Sequence, residues 1–108
     1  VTIEQQVNAG KTVFVDVTAD WCITCKANKV GVVLQDPVYS TLQAKNVVTM
    51  KGDWTVRSEK VTHYLQNNGR FGVPFNIVYG PKAPNGIPLP VILTDDAVMN
   101  AIKQASGE

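Results

Sequence analysis

Four short apolar runs along the chain predict the strands of a β-sheet. Residues 13–18 are apolar at nearly every position, which is typical of a central strand covered on both faces. Residues 46–50, 75–79 and 89–93 are three further predicted strands, because each is a short apolar run near turn-forming residues. The segment 80–88, rich in Pro and Gly, is predicted to be a loop between the last two strands.

Five other segments have the spacing of amphipathic helices. The first covers residues 3–9 and ends at Gly10. The second begins at Cys22. The third begins at Asp36 and Pro37, since Asp is a common N-cap and Pro suits the first helical turn. The residues predicted to point inward are Cys22, Cys25, Lys26, Val30, Val33 and Leu34 on the second helix, and Val38 and Leu42 on the third.

The fourth and fifth helices each follow a hydroxyl residue. Ser58 caps the fourth helix, which ends before Gly69, and Thr94 caps the fifth. The residues predicted to point inward are Val61, Tyr64 and Leu65 on the fourth helix, and Ala97, Val98, Ala101, Ile102 and Ala105 on the fifth. The order α-β-α-α-β-α-β-β-α predicts an α/β fold with helices on both faces of a central mixed sheet.

Length and composition describe one globular domain. The chain has 108 residues, of which 44% are hydrophobic and 18% are charged, enough to bury one core without disulfide staples. The formal charge of +1 and the lack of a basic run argue against nucleic-acid binding. No stretch approaches the roughly 20 apolar residues of a membrane span. We expect a single domain over residues 1–108, and its start at Val1 suggests a piece of a longer protein.

The only two cysteines lie in the motif W-C-I-T-C-K at residues 21–26, directly after the first predicted strand. At this spacing, one helical turn brings the sulfurs of Cys22 and Cys25 to the same side, close enough to bond to each other. Cys22 lies at the predicted helix N-terminus, where free backbone N–H groups favour a thiolate. A strand followed by C-x-x-C indicates a dithiol–disulfide redox centre.

A zinc site and a purely structural disulfide are weaker interpretations of the cysteine pair. A structural zinc site needs four ligands, and the chain adds only one histidine, His63, unless a partner supplies the rest. A structural disulfide gains stability from the loop that it closes, and this loop is minimal. Redox chemistry is therefore the preferred interpretation, with no metal and no cofactor beyond the sulfurs.

Three further segments extend the match to a known family. They are D-W-T at residues 53–55, G-R-F-G-V-P at 69–74 and L-P-V-I-L-T at 89–94, and they add to V-D-V-T-A-D-W-C-I-T-C-K at 15–26. The whole chain thus resembles the thioredoxin fold and, within it, the C-terminal periplasmic domain of the DsbD-type disulfide reductases, including the ScsB-like branch. The cysteine motif with a downstream Val-Pro is specific to the superfamily, whereas A-D-W-C and D-W-T point to the subfamily.

The resemblance implies catalytic roles for three residues. Cys22, expected to carry the more exposed sulfur, forms a mixed disulfide with a partner, and Cys25 is the resolving thiol that expels the partner. Asp16 matches the buried acid that acts as a base toward Cys25, and burial should raise its pKa toward neutral pH. The alternative for Asp16 is a structural carboxylate near a strand end, satisfied by a backbone N–H or a lysine.

The resemblance also implies a partner-binding surface around the cysteines. Pro74 matches a cis-proline that faces the cysteine pair and turns the Val73 backbone toward an incoming partner strand. The alternative is an ordinary trans proline that opens an edge strand. Trp21 is expected to shield the sulfurs, which is compatible with a place in the core. We call Trp21, Ile23, Thr24, Val73 and Pro74 the active-site rim.

One position departs from the family pattern. DsbD-type domains often carry an acid four residues after the second cysteine, which helps to keep cysteine pKa values high. This chain has Lys29 there. A nearby cation stabilises a thiolate instead, and Asp20 offsets part of this effect. The family's tuning of the cysteine pKa values is therefore not expected to carry over unchanged.

Taken together, the resemblance predicts a thiol:disulfide oxidoreductase that works in the reductase direction. A membrane-embedded dithiol domain would be its electron donor, and soluble periplasmic thiol–disulfide proteins would be its acceptors. The expected location is the periplasmic side of the bacterial inner membrane, as a domain of a membrane protein. Two alternatives stay open: a free-standing thioredoxin-like protein reduced by a soluble reductase, and a redox-inactive module that binds a strand near Val73. The two intact cysteines argue against the second.

Overall fold

A four-stranded mixed sheet organises the fold. The computed structural model describes residues 3–55, 58–69 and 72–107. The strands are β1 (Thr12–Thr18), β2 (Val47–Asp53), β3 (Phe75–Gly80) and β4 (Ala83–Pro88), and they lie in the order β2-β1-β3-β4. β1 pairs parallel with β2 and antiparallel with β3, and β3 pairs antiparallel with β4. The predicted α/β architecture with a mixed sheet is confirmed.

Helices pack against both faces of this sheet. They are α1 (Ile3–Asn8), α2 (Ile23–Asn28), α3 (Val38–Leu42), α4 (Glu59–Asn67) and α5 (Asp95–Ser106), and a π-helical segment, Lys29–Val33, continues α2. Within the described part of the chain, no helix is both long enough and apolar enough to cross a membrane.

The side chains of β1 alternate between two cores. Phe14 faces a core that is completed by α3 and α5. Val13, Val15 and Val17 face a second core, which α4 completes and at whose edge α1 packs. Successive strand residues point to opposite faces, so an apolar run such as this one suits a strand covered on both sides. Asp16, on the same face as Phe14, is the polar exception in the run.

The caps of α4 and α5 follow the sequence signals. Ser58 Oγ accepts a hydrogen bond from Val61 N–H at 3.5 Å, and Thr94 Oγ1 accepts one from Ala97 N–H at 3.1 Å. Gly69 adopts a φ of 72° just beyond α4, a conformation that favours glycine at a helix end. Four of the five residues predicted to point inward on α5 are buried, Val98, Ala101, Ile102 and Ala105, and Ala97 is half-buried.

The start of α3 differs in detail from the prediction. Val38 and Leu42 are buried, as predicted. Pro37, however, occupies the N-cap position rather than the first helical position, and the Asp36–Pro37 peptide bond is cis. Asp36 still accepts a hydrogen bond near the helix start, from Ser40 N–H at 3.1 Å.

The prediction for residues 80–93 was wrong. The segment expected to be a loop contains β4, and the expected strand 89–93 is irregular backbone. β4 lies at the sheet edge and needs ladder hydrogen bonds on one side only, so it tolerates Pro84, Gly86 and Pro88. In the apolar run that follows, Leu89 and Leu93 at the two ends are buried, whereas Val91 and Ile92 between them are exposed.

The predicted inward face of the second helix was also partly wrong. Lys26 is exposed, Val30 is 63% exposed and Leu34 is 47% exposed, whereas Asn28 is buried. The prediction assumed 3.6 residues per turn throughout. The backbone instead widens after Asn28, and Leu34 N–H donates to the carbonyl of Lys29, five residues earlier. The wider turn rotates the later side chains away from the core.

Candidate active site

The cysteine pair lies where β1 gives way to α2. Cys22 has the extended backbone of an N-cap residue, Cys25 lies in the first turn, and a disulfide joins them. The backbone N–H of Cys25 donates to Cys22 Sγ at 3.1 Å. Both residues are 6% exposed, so the expected difference in exposure between them is not found at the level of whole residues. The asymmetry lies in hydrogen bonding, because a helix N–H favours negative charge on the Cys22 sulfur.

Val73 packs against the cysteine pair. It joins a small cluster formed by Ala19, Cys22 and Cys25. The Val73–Pro74 peptide bond is cis, as the resemblance implied, and Pro74 is buried. The match at 69–74 also includes two residues, 70 and 71, that lie outside the described residues. The contact of Val73 with the cysteines is consistent with a partner strand pairing there, which stays a prediction.

Asp16 and Cys25 line one cleft. The cleft has a volume of about 300 Å³ and lies between β1, β2 and the segments from Cys25 to Gln43. Burial raises the pKa of Asp16 above its usual value of 3.8, although three neighbours pull it down: the Asn76 amide by a hydrogen bond, and Lys51 and Lys29 by their charge. A carboxyl group with a raised pKa that lines the same cleft as a cysteine is suited to accept a proton from the thiol.

Asn76 is a polar residue of this site that the sequence analysis missed. The residue is 2% exposed, and its Nδ2 donates to Asp16 Oδ1 at 2.9 Å. The structural alternative predicted a backbone N–H or a lysine as the partner of Asp16. The hydrogen bond found here comes from the Asn76 amide, whereas Lys51 and Lys29 act on the carboxyl group through their charge, so a structural role for Asp16 stays open. The available signal was an amide inside the otherwise apolar strand β3, which mirrors Asp16 inside β1.

Trp21 and the D-W-T segment form a platform beside the motif. Trp21 Nε1 donates to the Thr55 carbonyl at 3.1 Å, and Asp20 N–H donates to Thr55 Oγ1 at 2.8 Å. The Trp21 ring lies 6.2 Å, between centroids, from that of Trp54. Trp21 is 58% exposed, so it is not a core residue. Trp54 is half-buried, and it both packs against the core on the Val13 face of β1 and lies beside Trp21.

The remaining rim residues are accessible. Ile23 is 83% exposed, and Thr24 is half-buried. The irregular segment after β4 is fixed to this region by Asn28, a second buried amide that the sequence analysis missed. Its Nδ2 donates to the Val91 carbonyl at 2.8 Å, and its Oδ1 accepts from Leu93 N–H at 3.0 Å. The loop after β4, which carries the exposed side chains of Val91 and Ile92, is thus hydrogen-bonded to the end of α2.

Metal binding has no candidate in the described ranges. No group of three or more His, Cys, Asp or Glu side chains there is arranged to hold a metal ion.

The sequence profile of the thioredoxin-like family matches residues 2–81. The chain belongs to this family. The fold is similar to that of the DsbD C-terminal domain of Neisseria meningitidis in the oxidised form, at 23% identity and a TM-score of 0.72, covering 94% of this chain and 88% of that one. It is also similar to a thioredoxin from Thermus thermophilus, at 19% identity and a TM-score of 0.65, covering 94% and 83%. No curated protein sequence matches the chain.

Family membership and the disulfide together define the class of chemistry. A thioredoxin-like domain with a Cys22–Cys25 disulfide at a helix N-terminus is a thiol–disulfide oxidoreductase. The structural similarities, all at low identity, establish the fold and leave the direction of electron flow and the partners to be proposed.

Proposed function

We propose that this domain is a reductase that relays electrons from a membrane-embedded dithiol to soluble periplasmic thiol–disulfide proteins. The observation that carries the proposal is the hydrogen bond from Cys25 N–H to Cys22 Sγ, with Asp16 in the cleft that Cys25 lines. Together these features supply a sulfur stabilised as a thiolate and a base for the second sulfur.

In the reduced domain, the Cys22 thiolate attacks a disulfide of the acceptor. A bond forms between Cys22 and one acceptor sulfur, and the other acceptor sulfur leaves as a thiolate. Cys25 then gives its proton to Asp16 and attacks Cys22 Sγ. The bond between Cys22 and the acceptor breaks, the acceptor sulfur that was bonded to Cys22 leaves with the electron pair, and the Cys22–Cys25 disulfide is restored. The acceptor gains two electrons, and the membrane dithiol reduces the domain again by the reverse sequence.

The intervening pair Ile23-Thr24 supports the reductase direction. Strongly oxidising members of the superfamily have a histidine there that stabilises the thiolate, and this chain has none. Without that stabilisation the reduced form is less favoured, and the domain gives up its electrons more readily. Lys29 acts in the opposite sense, because its charge favours a thiolate.

The relay role requires two partners to use one surface. Donor and acceptor must both reach Cys22, so their complexes should be mutually exclusive and share the active-site rim. Ile23 and Trp21 present exposed apolar surface there. Such contacts should be small and weak, since tight binding would trap the carrier after each transfer. The A-D-W-C and D-W-T segments, which hydrogen-bond to each other, support a DsbD-type context and a periplasmic location.

Stopped-flow exchange with two donors tests the proposal. We expect a DsbD-type membrane domain, reduced beforehand, to reduce this domain rapidly, and thioredoxin reductase to do so poorly. Efficient reduction by thioredoxin reductase alone would instead establish the free-standing alternative. A domain that exchanges with neither donor and does not reduce a model disulfide would be the redox-inactive binding module.

A further inference from the structure

Asn76 occupies a place where an apolar residue would be expected. It lies within β3, between Phe75 and Ile77, which are each 1% exposed, and it is 2% exposed itself. Asparagine is disfavoured in strands, and a buried amide costs free energy unless it is hydrogen-bonded. Departures from local preference of this kind concentrate at functional sites.

The Asn76 amide is directed at one group, the Asp16 carboxyl. β1 and β3 place the two residues in direct register, and Nδ2 donates to Oδ1 at 2.9 Å. The Asn76 backbone carbonyl in turn accepts from Leu89 N–H at 2.9 Å. Because the strand ladder and this second contact fix the backbone of Asn76, its amide is held in a defined position relative to Asp16.

We propose that Asn76 is a positioning residue of the redox site, which orients the Asp16 carboxyl into the cleft and keeps it available as the carboxylate that accepts the Cys25 proton. This inference rests on the proposed function. In the step concerned, the Cys25 proton passes to Asp16, the Cys25 sulfur bonds to Cys22 Sγ, and the acceptor sulfur leaves Cys22 with the electron pair. Asp16 afterwards returns the proton to solvent through the cleft.

An N–H donor favours the charged form of a carboxyl group, so Asn76 opposes the effect of burial on Asp16. Lys51 on β2 and Lys29 after α2 act in the same direction from other sides of the cleft. The other titratable groups that line the cleft are Asp20, Cys25, Lys26 and Tyr39. Of the residues that lower the pKa of Asp16, Asn76 is the one that also fixes the carboxyl by a directional bond.

The variant Asn76→Leu tests the proposal, because leucine has a similar volume and no donor. A hydrogen bond to a charged group is lost, so the Asp16 pKa in the reduced protein, followed by carboxyl ¹³C NMR, should rise by about one pH unit or more. The midpoint of the pH–rate profile for resolution of a mixed disulfide should rise by the same amount. Combining Asn76→Leu with Asp16→Asn should give no further change beyond Asp16→Asn alone.

Asn28→Leu is the matched control, since it removes a buried amide whose bonds go to the loop rather than to Asp16. It should lower the thermal midpoint and leave the Asp16 pKa where it was. If Asn76→Leu does not fold, Asn76→Ala gives the same readout. An unchanged Asp16 pKa in either Asn76 variant overturns the positioning role. A shifted Asp16 pKa in a domain that exchanges no disulfides would overturn the proposed function instead. The hydrogen bond between Asn76 and Asp16 would then have no role in catalysis.

Discussion

The backbone N–H of Cys25 points at the sulfur of Cys22 over 3.1 Å, so the second cysteine of the pair helps to activate the first. In the reduced protein the same N–H group would stabilise a thiolate on Cys22, as other helix N-terminal donors do. Cys25, in contrast to Cys22, lines the cleft that contains Asp16. The two cysteines are equally buried as whole residues, but the Cys22 sulfur accepts a backbone N–H bond whereas Cys25 lines the cleft with Asp16.

This difference predicts the order in which the sulfurs react. In Cys25→Ala, a mixed disulfide between Cys22 and a partner should accumulate and persist, because no thiol remains to resolve it. In the reduced wild type, a limiting amount of alkylating reagent should label Cys22 first, which mass spectrometry of the digested protein would measure. Cys22→Ala is the control and should trap no partner. Faster labelling of Cys25 would reverse the roles assigned to the two cysteines.

Asp16→Asn should slow resolution near neutral pH by about 100-fold, the usual contribution of a general base. Resolution by the wild type should speed up with pH as the Asp16 carboxyl ionises, and burial places that rise above the usual pKa of 3.8. The variant should lose this rise. Stopped-flow measurement of mixed-disulfide decay against pH would record both effects, and an unchanged profile would rule out Asp16 as the base.

The same substitution, Asp16→Asn, should also change how the stability of the folded protein depends on pH. Because burial raises the Asp16 pKa in the folded state, the folded protein binds more protons than the unfolded one between the two pKa values. Stability should therefore fall as pH rises from about 4 through the folded-state pKa, and stay lower above it. Asp16→Asn should remove this loss, so that urea denaturation shows the variant less sensitive to pH over that window. A steeper dependence on pH in the variant would contradict the sign of the shift.

The reduction potential should lie toward the reducing end, at roughly −200 to −270 mV by comparison with known couples. The absence of a histidine between the cysteines motivates this range. Lys29 opposes it, so Lys29→Gln should make the potential more negative, by on the order of 10 to 30 mV. Lys60→Gln, on the exposed side of α4, is the matched control. Glutathione titration followed by thiol alkylation measures each value, and a potential near −120 mV for the wild type is incompatible with a reductase.

Val73→Arg should slow exchange with both the membrane donor and the soluble acceptor, by about tenfold or more. Val73 packs against the cysteine cluster, where a long charged side chain would obstruct either partner. The potential of the cysteine pair should be nearly unchanged, which separates obstruction from altered chemistry. Val30→Arg adds the same charge at a position that is 63% exposed and should leave both rates as they were. Slowing of one partner only would show that the two do not share the rim.

Local sequence determined the elements whose signals are contained within a few residues. The apolar run from Val13 to Val17 predicts a strand buried on both faces, because alternate side chains must each find a core. Ser58 and Thr94 locate helix starts through bonds to N–H groups three residues away. The cysteine spacing determines the disulfide for the same reason, since one turn of helix separates the two residues.

Only the tertiary structure decided the features that depend on partners distant in sequence. Asp16 and Asn76 are 60 positions apart, and strand pairing alone brings the amide to the carboxyl. The edge position of β4 explains why prolines belong to a strand there, and nothing within the segment reveals that position. Likewise, the wider turn after Asn28 could not be read from apolar spacing. The Asn28 side chain hydrogen-bonds to the backbone of a loop more than 60 residues away. Asn28 is therefore buried because two distant segments pack together, which the 3.6-residue period of a helix does not reveal.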